Sequence, residues 1–272
     1  MQYLTSTTVN AQERTNVLKC RTGTLYTAKW AKRFDPSQDG ACPLCGQLDN
    51  TERAISGCPC LSEAVTNRHH KTARIIIRAI SNGRLGADLV LTDVGKRMDT
   101  CAMGIPYTGR HLSRCYIPSH LWERSKHTSI PDAVLIHTKS LRKDGLFQHC
   151  QNLRATIVEF KFCTDMDPTK QQNRATAQHI NGMKALLEEA GYQVTQQNIT
   201  LGTRGTVYKT SPEQLQALGV EKKAALTALR QAHLQAVHSL TDIINCRRAL
   251  IHQHHKQKPH KHKCKGGAGG VG

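Results

Sequence analysis

A proline followed by an acid, Pro131-Asp132, opens one apolar segment, and Glu159-Phe160-Lys161 lies inside a second; the stretch joining them reads "IPDAVLIHTKSLRKDGLFQHCQNLRATIVEFKF". Two carboxylates and an amine are the groups that metal-assisted phosphodiester hydrolysis needs. Carboxylate oxygens bind a hard divalent cation, Mg²⁺ or Mn²⁺, and leave coordination positions for water and a phosphate. A lysine beside that water can orient it, help remove its proton, or offset charge building on the phosphate. The spacing works only if both segments are strands. In an extended "TIVEFKF", Val158, Phe160 and Phe162 share one face and Glu159 and Lys161 the other. The large apolar face turns to the core, so the acid and the lysine are presented together. Asp132 then stands at the start of the neighbouring strand, where Pro131 fixes the entry of the chain. The same string also fits an ordinary amphipathic strand with Glu159 and Lys161 solvated.

A second set of chemically capable residues is Cys42, Cys45, Cys58, Cys60, His69 and His70. Cys42 and Cys45, two residues apart, place their thiolates on a tight turn suited to adjacent tetrahedral positions around zinc. Cys58 and Cys60 are separated by one residue, an awkward spacing for one ion, so one of them with His69 or His70 is preferred. The expected set is Cys42, Cys45, Cys58 and His69. Eleven cysteines in a chain whose N-terminus lacks the apolar centre of a signal peptide point to metal before disulfides. The plain alternative is thiols that are merely buried or free. Cys101, Cys115, Cys150 and Cys163 show no ligand spacing.

The elements that must position these groups follow from periodicity and punctuation. "DAVLIHT", "ATIVEFKF" and "YQVTQQNITLG" read as strands, and "ADLVLTDV" is a further candidate. Between the second and third lies a helix with Asp167 as cap, Pro168 in its first turn and Gly191 at its end. Ala73, Ile76, Ile77 and Ile80 fall at helical spacing in a helix from Asn67 to Ile80, closed by Asn82-Gly83. Ser211-Pro212 starts a short helix, and a longer one runs from Val220 to Ile251. The order predicts an α/β (α+β) fold, a mixed sheet flanked by helices. Residues 1–40 read as a linker that ends something longer, with Leu25, Trp30 and Phe34 as a sticky stripe. A zinc module with its following helix spans 41–82, the sheet domain 83–251, and a His/Lys/Gly-rich disordered tail 252–272.

Charge names the partner. Lys and Arg number 38 against 20 Asp and Glu, a net charge of +18, and only seven of those positive charges fall from Cys246 onward. The body itself is therefore basic, and nucleic acid, whose phosphates release counterions on contact, is the expected polyanion. Lys139, Arg142, Lys143 and Arg154 lie in the long link between the two catalytic segments and form a candidate loop for gripping DNA backbone. No apolar run reaches the roughly 18 residues of a membrane helix.

The order Pro-Asp, then Glu-x-Lys in a hydrophobic strand, resembles the PD-(D/E)xK nuclease superfamily. It is closest to the restriction-like endonuclease at the C-terminus of certain non-LTR retrotransposon polyproteins, where a zinc knuckle lies between reverse transcriptase and nuclease. "GTLYTAKWAKRF" resembles the linking segment, "CPLCG" the knuckle's start, "RHHKTARIIIRAI" the helix after it, and "VEFKFCTDMDPTKQQNRATAQH" the catalytic strand with its helix. "LGTRGTVYKT" resembles a later strand and turn. The resemblance spans roughly residues 20–220. It implies a nuclease-like core in which Asp132 and Glu159 hold Mg²⁺, Lys161 is the catalytic lysine and Gln178 a supporting polar group. Asp165 would order the loop beneath the site, and Glu123 is the candidate for the acid that the superfamily often takes from an upstream helix. It also implies structural Zn²⁺, DNA and RNA as partners, an upstream reverse transcriptase, a nuclear location, and nicking of target DNA by a chain that is a fragment and has lost activity if the site has decayed. The family's knuckle places a histidine five residues before the third cysteine, where this chain has Arg53. Either His69 or Cys60 replaces that ligand, or the knuckle has decayed. A non-catalytic, zinc-containing nucleic-acid-binding protein is the alternative reading.

Overall fold

A computed structural model describes residues 2–83, 89–92, 94, 119–125, 127–137, 153–165 and 167–257. Four strands form one mixed sheet in the order β1 (Leu89–Thr92), β2 (Ala133–Ile136), β3 (Arg154–Cys163) and β4 (Gln193–Gly202). β1, β2 and β3 pair antiparallel, and β4 lies parallel to β3 along its whole length. The β3-to-β4 connection is a crossover, as a parallel pair requires. It carries the crossover helix (Thr169–His179), a wide turn over Ile180–Lys184 broken at Gly182, and a short helix (Ala185–Glu189). The single long helix expected there is thus interrupted, because the unbranched backbone of Gly182 adopts φ −119°, ψ −115°. Gly191, at φ 91°, ends the unit, with its amide donating to Glu188 O at 2.9 Å.

Alternation along the strands divides the core. Val90, Ala133, Leu135, Val158, Phe160, Ile199 and Leu201 face one way, against Ala73, Ile76, Ile77 and Ile80 of the sheet helix (Ser62–Ser81) and Ala225, Ala228, Leu229 and Ala232 of the terminal helix. Val134, Ile136, Ala155 and Ile157 face the other way, against Met183, Leu186 and Leu187 from the crossover. Burying each of the Val, Leu, Ile, Phe and Met side chains among these contributes roughly 1.5–3 kcal/mol relative to leaving it in water. The terminal helix (Lys222–Gln257) is 36 residues long, about 54 Å at 1.5 Å per residue. None of the described helices is long and apolar enough to cross a membrane.

Residues 3–25, part of the stretch expected as a linker, are packed onto that terminal helix. A capping box joins Asn10 and Glu13 at the start of the N-terminal helix (Ala11–Thr22). Tyr3, Val9, Val17, Cys20 and Leu25 pack with Ala54, Ile55, Val237, Leu240 and Ile244. Polar pins reinforce the seam: Asn16 Nδ2 donates to Thr241 Oγ1 at 3.2 Å, and His238 Nδ1 lies 2.7 Å from Glu13 Oε1. The segment has too few apolar residues to look like core on its own. Three members of its apolar partner surface, Val237, Leu240 and Ile244, come from more than 200 residues away.

Candidate active site and metal centre

The register of β2 on β3 brings the two carboxylates together. Ala133 pairs with Val158, which sets Asp132 against Glu159 one step beyond. His137 N–H donates to Arg154 O at 2.9 Å, so bond-exchanging pairs recur every second residue and the next one in line would be Pro131 with Phe160. Proline has no N–H, and the Phe160 carbonyl cannot be served by β2. His69 of the sheet helix fills that position, its Nε2 donating to Phe160 O at 2.9 Å. The Phe160 N–H in turn donates to Asp132 Oδ2 at 2.7 Å. The Pro-Asp pair therefore ends the backbone ladder and turns the aspartate onto β3. β1 contributes as well, since Thr92 Oγ1 donates to Asp132 O at 2.8 Å.

Glu159 is only 2% exposed, which overturns the solvated-face reading of this strand. Its Oε1 contacts Lys161 Nζ, and its Oε2 accepts from His179 Nε2 at 3.0 Å and from the Asp132 amide at 3.3 Å. Buried charge of this kind persists only with such partners. His179 is itself fully buried, and its Nδ1 has no hydrogen-bond partner among the described residues. Lys161 keeps 23% of its side chain exposed and Asp132 17%, so the site opens to solvent on the lysine and aspartate side. His69 Nε2 also lies 3.3 Å from Asp132 Oδ2. Burial pulls the His69 pKa down, but the hydrogen bond and charge of Asp132, with the Phe160 carbonyl, outweigh it, and the net shift is upward.

Two expectations are corrected. His69 is not with the cysteines: it lies seven positions into the sheet helix, about 10 Å along the axis from its start, at the aspartate. Gln178 is exposed, and its neighbour His179 turns inward instead; adjacent helical residues point about 100° apart. Glu123 is exposed on the turn Trp122–Ser125. Asp165 does order the loop after β3, accepting from Arg204 N–H and pairing with its guanidinium, both at 3.3 Å. Of the proposed DNA-gripping residues, Arg154 is exposed at the start of β3, whereas Lys139, Arg142 and Lys143 lie outside the described residues. So do Cys101, Cys115, Cys150 and the tail from residue 258 onward.

Both missed histidines carried a signal in the sequence. His69 stands on the same helical stripe as Thr72, Ala73, Ile76 and Ile80, and His179 on that of Ala175 and Met183.

Cys42, Cys45 and Cys58 form the other cluster, with their sulfurs all within 4.8 Å of one another. A tight turn supplies the first two, Gly46 N–H donating to Cys42 O at 2.8 Å. Three converging thiols can hold a soft or borderline ion such as Zn²⁺. No fourth Cys, His, Asp or Glu joins them among the described residues. Cys60 is exposed and directs its thiol to Leu44 O at 3.4 Å. Two guanidiniums flank the sulfurs instead: Arg53 Nη2 lies 3.5 Å from Cys45 Sγ, and Arg247 Nη1 3.4 Å from Cys42 Sγ. The Cys45 thiol is lowered to about 7, chiefly by the Gln47 backbone hydrogen bond and also by Arg53, while burial pushes Cys58 up to about 12.

No protein-family model matches the chain, and no curated protein matches it.

Proposed function

We propose that this chain is a metal-dependent DNA endonuclease of the PD-(D/E)xK type, related to the nuclease region of non-LTR retrotransposon polyproteins, with the three-cysteine cluster as a structural zinc site. One observation carries the reading: Asp132 and Glu159, separated by the link through 138–152, are locked to each other's strands at 2.7 and 3.3 Å, with Lys161 on the same carboxylate. An amphipathic strand with a solvated polar face needs no such arrangement. Buried acids held by specific charged partners are more common at functional sites than elsewhere.

The donor set fits a hard cation at Asp132. Oδ2 is held by the Phe160 amide, while Oδ1 makes no hydrogen bond among the described residues on a side chain that is partly exposed. Asp132 and Glu159 would hold Mg²⁺ or Mn²⁺, which when bound would supply Lewis-acid polarisation of a phosphate oxygen and a more acidic water. The chain's own residues do the rest. His179 and the Asp132 amide fix Glu159 in one orientation. Lys161, 23% exposed, is placed to contact the attacking water or a phosphate oxygen. In the hydrolysis a water oxygen bonds to phosphorus, one P–O ester bond breaks, and the departing oxygen is protonated. The net charge of +18 suits a DNA or RNA partner and a nuclear site of action.

The test is nicking of supercoiled plasmid with Mg²⁺ or Mn²⁺ by wild type, Glu159→Ala and Lys161→Ala, with thermal melts as a control for folding. Metal-dependent nicking lost in both folded variants supports the nuclease. Wild type that binds DNA but nicks no more than the variants leaves a non-catalytic nucleic-acid-binding protein.

A further inference from the structure

Tyr26, Trp30 and Phe34 recur every fourth residue and stack in a row, ring centroids 5.7 Å apart for the first pair and 4.7 Å for the second. In a chain with only 4% aromatic residues, such a row belongs in the core. Yet Tyr26 is 71% and Phe34 72% exposed. The turn that bears them is held firmly. Thr27 Oγ1 caps Trp30 N–H at 3.2 Å, and Ala28 N–H donates to the buried Asp49 carboxylate at 2.7 Å. The rings are thus displayed on a fixed platform beside the cysteine cluster.

The segment that carries them is rich in cations. No Asp or Glu occurs between Glu13 and Asp35, while Lys29, Lys32 and Arg33 alternate with the rings and are exposed. Asp35 spends its carboxylate on its own turn, accepting from Ser37 Oγ at 2.6 Å and Gln38 Nε2 at 3.0 Å. Exposed rings interleaved with cations match a ligand that alternates flat apolar faces with phosphates. Duplex DNA hides its base faces in the stack, so the match is to unpaired bases.

We propose that Tyr26, Trp30 and Phe34, with Lys29, Lys32 and Arg33, form a binding platform for single-stranded nucleic acid, separate from the Asp132–Glu159 site. It rests on the reading of the chain as a nucleic-acid-binding protein, not on its catalysis. A base sandwiched between two rings needs them about 7 Å apart. Bases therefore stack on the free faces of Tyr26 and Phe34, at the two ends of the row, while the cations take the backbone.

The experiment compares wild type, Tyr26→Ala/Phe34→Ala and Glu159→Ala in fluorescence-anisotropy titrations with a single-stranded thymidine oligonucleotide and with a duplex of equal length. The double variant should bind the single strand about tenfold more weakly for each ring lost. Its salt dependence, duplex affinity and melting temperature should stay at wild-type values, because no charge and no buried group is removed. Glu159→Ala should bind the single strand as wild type does, so a failed nicking assay leaves this result standing. The proposal is overturned if wild type does not bind the single strand, if the double variant binds it as wild type does, or if the variant loses single-strand and duplex affinity equally. Unchanged single-strand binding would mean that the rings cover a protein surface.

Discussion

His179 Nε2 lies 3.0 Å from Glu159 Oε2, with the two side chains 0% and 3% exposed. A carboxylate accepts only, so Nε2 carries the hydrogen of this bond. The pair joins the crossover helix to β3 and holds the acid in place without using the oxygen that meets Lys161.

Replacing His179 with Ala strips a hydrogen-bond donor from a buried carboxylate, a loss of about 1.5–3 kcal/mol. Thermal melting should fall accordingly. His179→Gln, which keeps a donor at similar reach, should recover part of it. Nicking by the folded His179→Gln variant should fall by a smaller factor than nicking by Glu159→Ala.

Asp49 and Arg247 form a second buried pair, 2.7 Å apart and 0% and 7% exposed. It ties the cysteine module to the terminal helix, and the same Asp49 oxygen accepts from Ala28 N–H. Removing one partner leaves the other charge buried and alone, which costs about 3–5 kcal/mol. Arg247→Ala should therefore lower stability strongly, and Asp49→Ala added to it should cost much less than the sum of the single changes. Denaturant titrations of the double-mutant cycle measure this coupling.

Arg53 Nη2 stands 3.5 Å from Cys45 Sγ, and a guanidinium has no lone pair to offer a metal. Arg53→His should raise zinc affinity tenfold or more in competition with a chromophoric chelator. Cobalt absorption spectra supply the control: Cys60→Ser should leave the wild-type spectrum unchanged, and Cys58→Ser should abolish it.

His233 sets a pH dependence. Its Nδ1 donates to Gly205 O at 2.5 Å, and Nε2 is buried without a partner among the described residues. Burial, aided by the charge of Arg21 and opposed by the Gly205 hydrogen bond, pulls its pKa below 6.5. The unfolded chain then binds a proton more readily than the folded one. The contribution is fully present above the unfolded value of about 6.5 and is lost as pH falls through the lower folded value. Unfolding free energies from pH 8 down to 5 should decline more steeply in wild type than in His233→Gln. Gly205, at φ 85° with His233 Nδ1 3.1 Å from where a Cβ would sit, should not tolerate Ala without a loss of about 1 kcal/mol or more.

The alternation in "TIVEFKF" assigned Val158 and Phe160 to the core and Glu159 and Lys161 to one shared face, and the structure has them so. Pro131-Asp132 announced the end of a strand ladder, and Gly191 the end of the crossover. Those features are local: backbone pleat, a missing amide hydrogen and freedom at positive φ act within a few residues and can be read in order.

Spacing in the chain could not say which histidine meets which acid. His69 follows the cysteines closely in sequence, yet the helix that begins at Ser62 carries it to Asp132 and Phe160, 63 and 91 residues further along the chain. His179 rather than Gln178 reaches Glu159 because Ala175 and Met183 decide the buried side of the crossover. Tyr3, Val9, Val17, Cys20 and Leu25, scattered in a polar N-terminal stretch, find a core against Ala54, Ile55, Val237, Leu240 and Ile244. Sequence by itself determined the chemical groups, the strand periodicity and the basic charge. Tertiary structure alone decided that Glu159 is buried and fully engaged, that the cysteine cluster has three members among the described residues, and that the Tyr26 and Phe34 rings face outward, because burial and partner choice depend on surfaces supplied by distant segments.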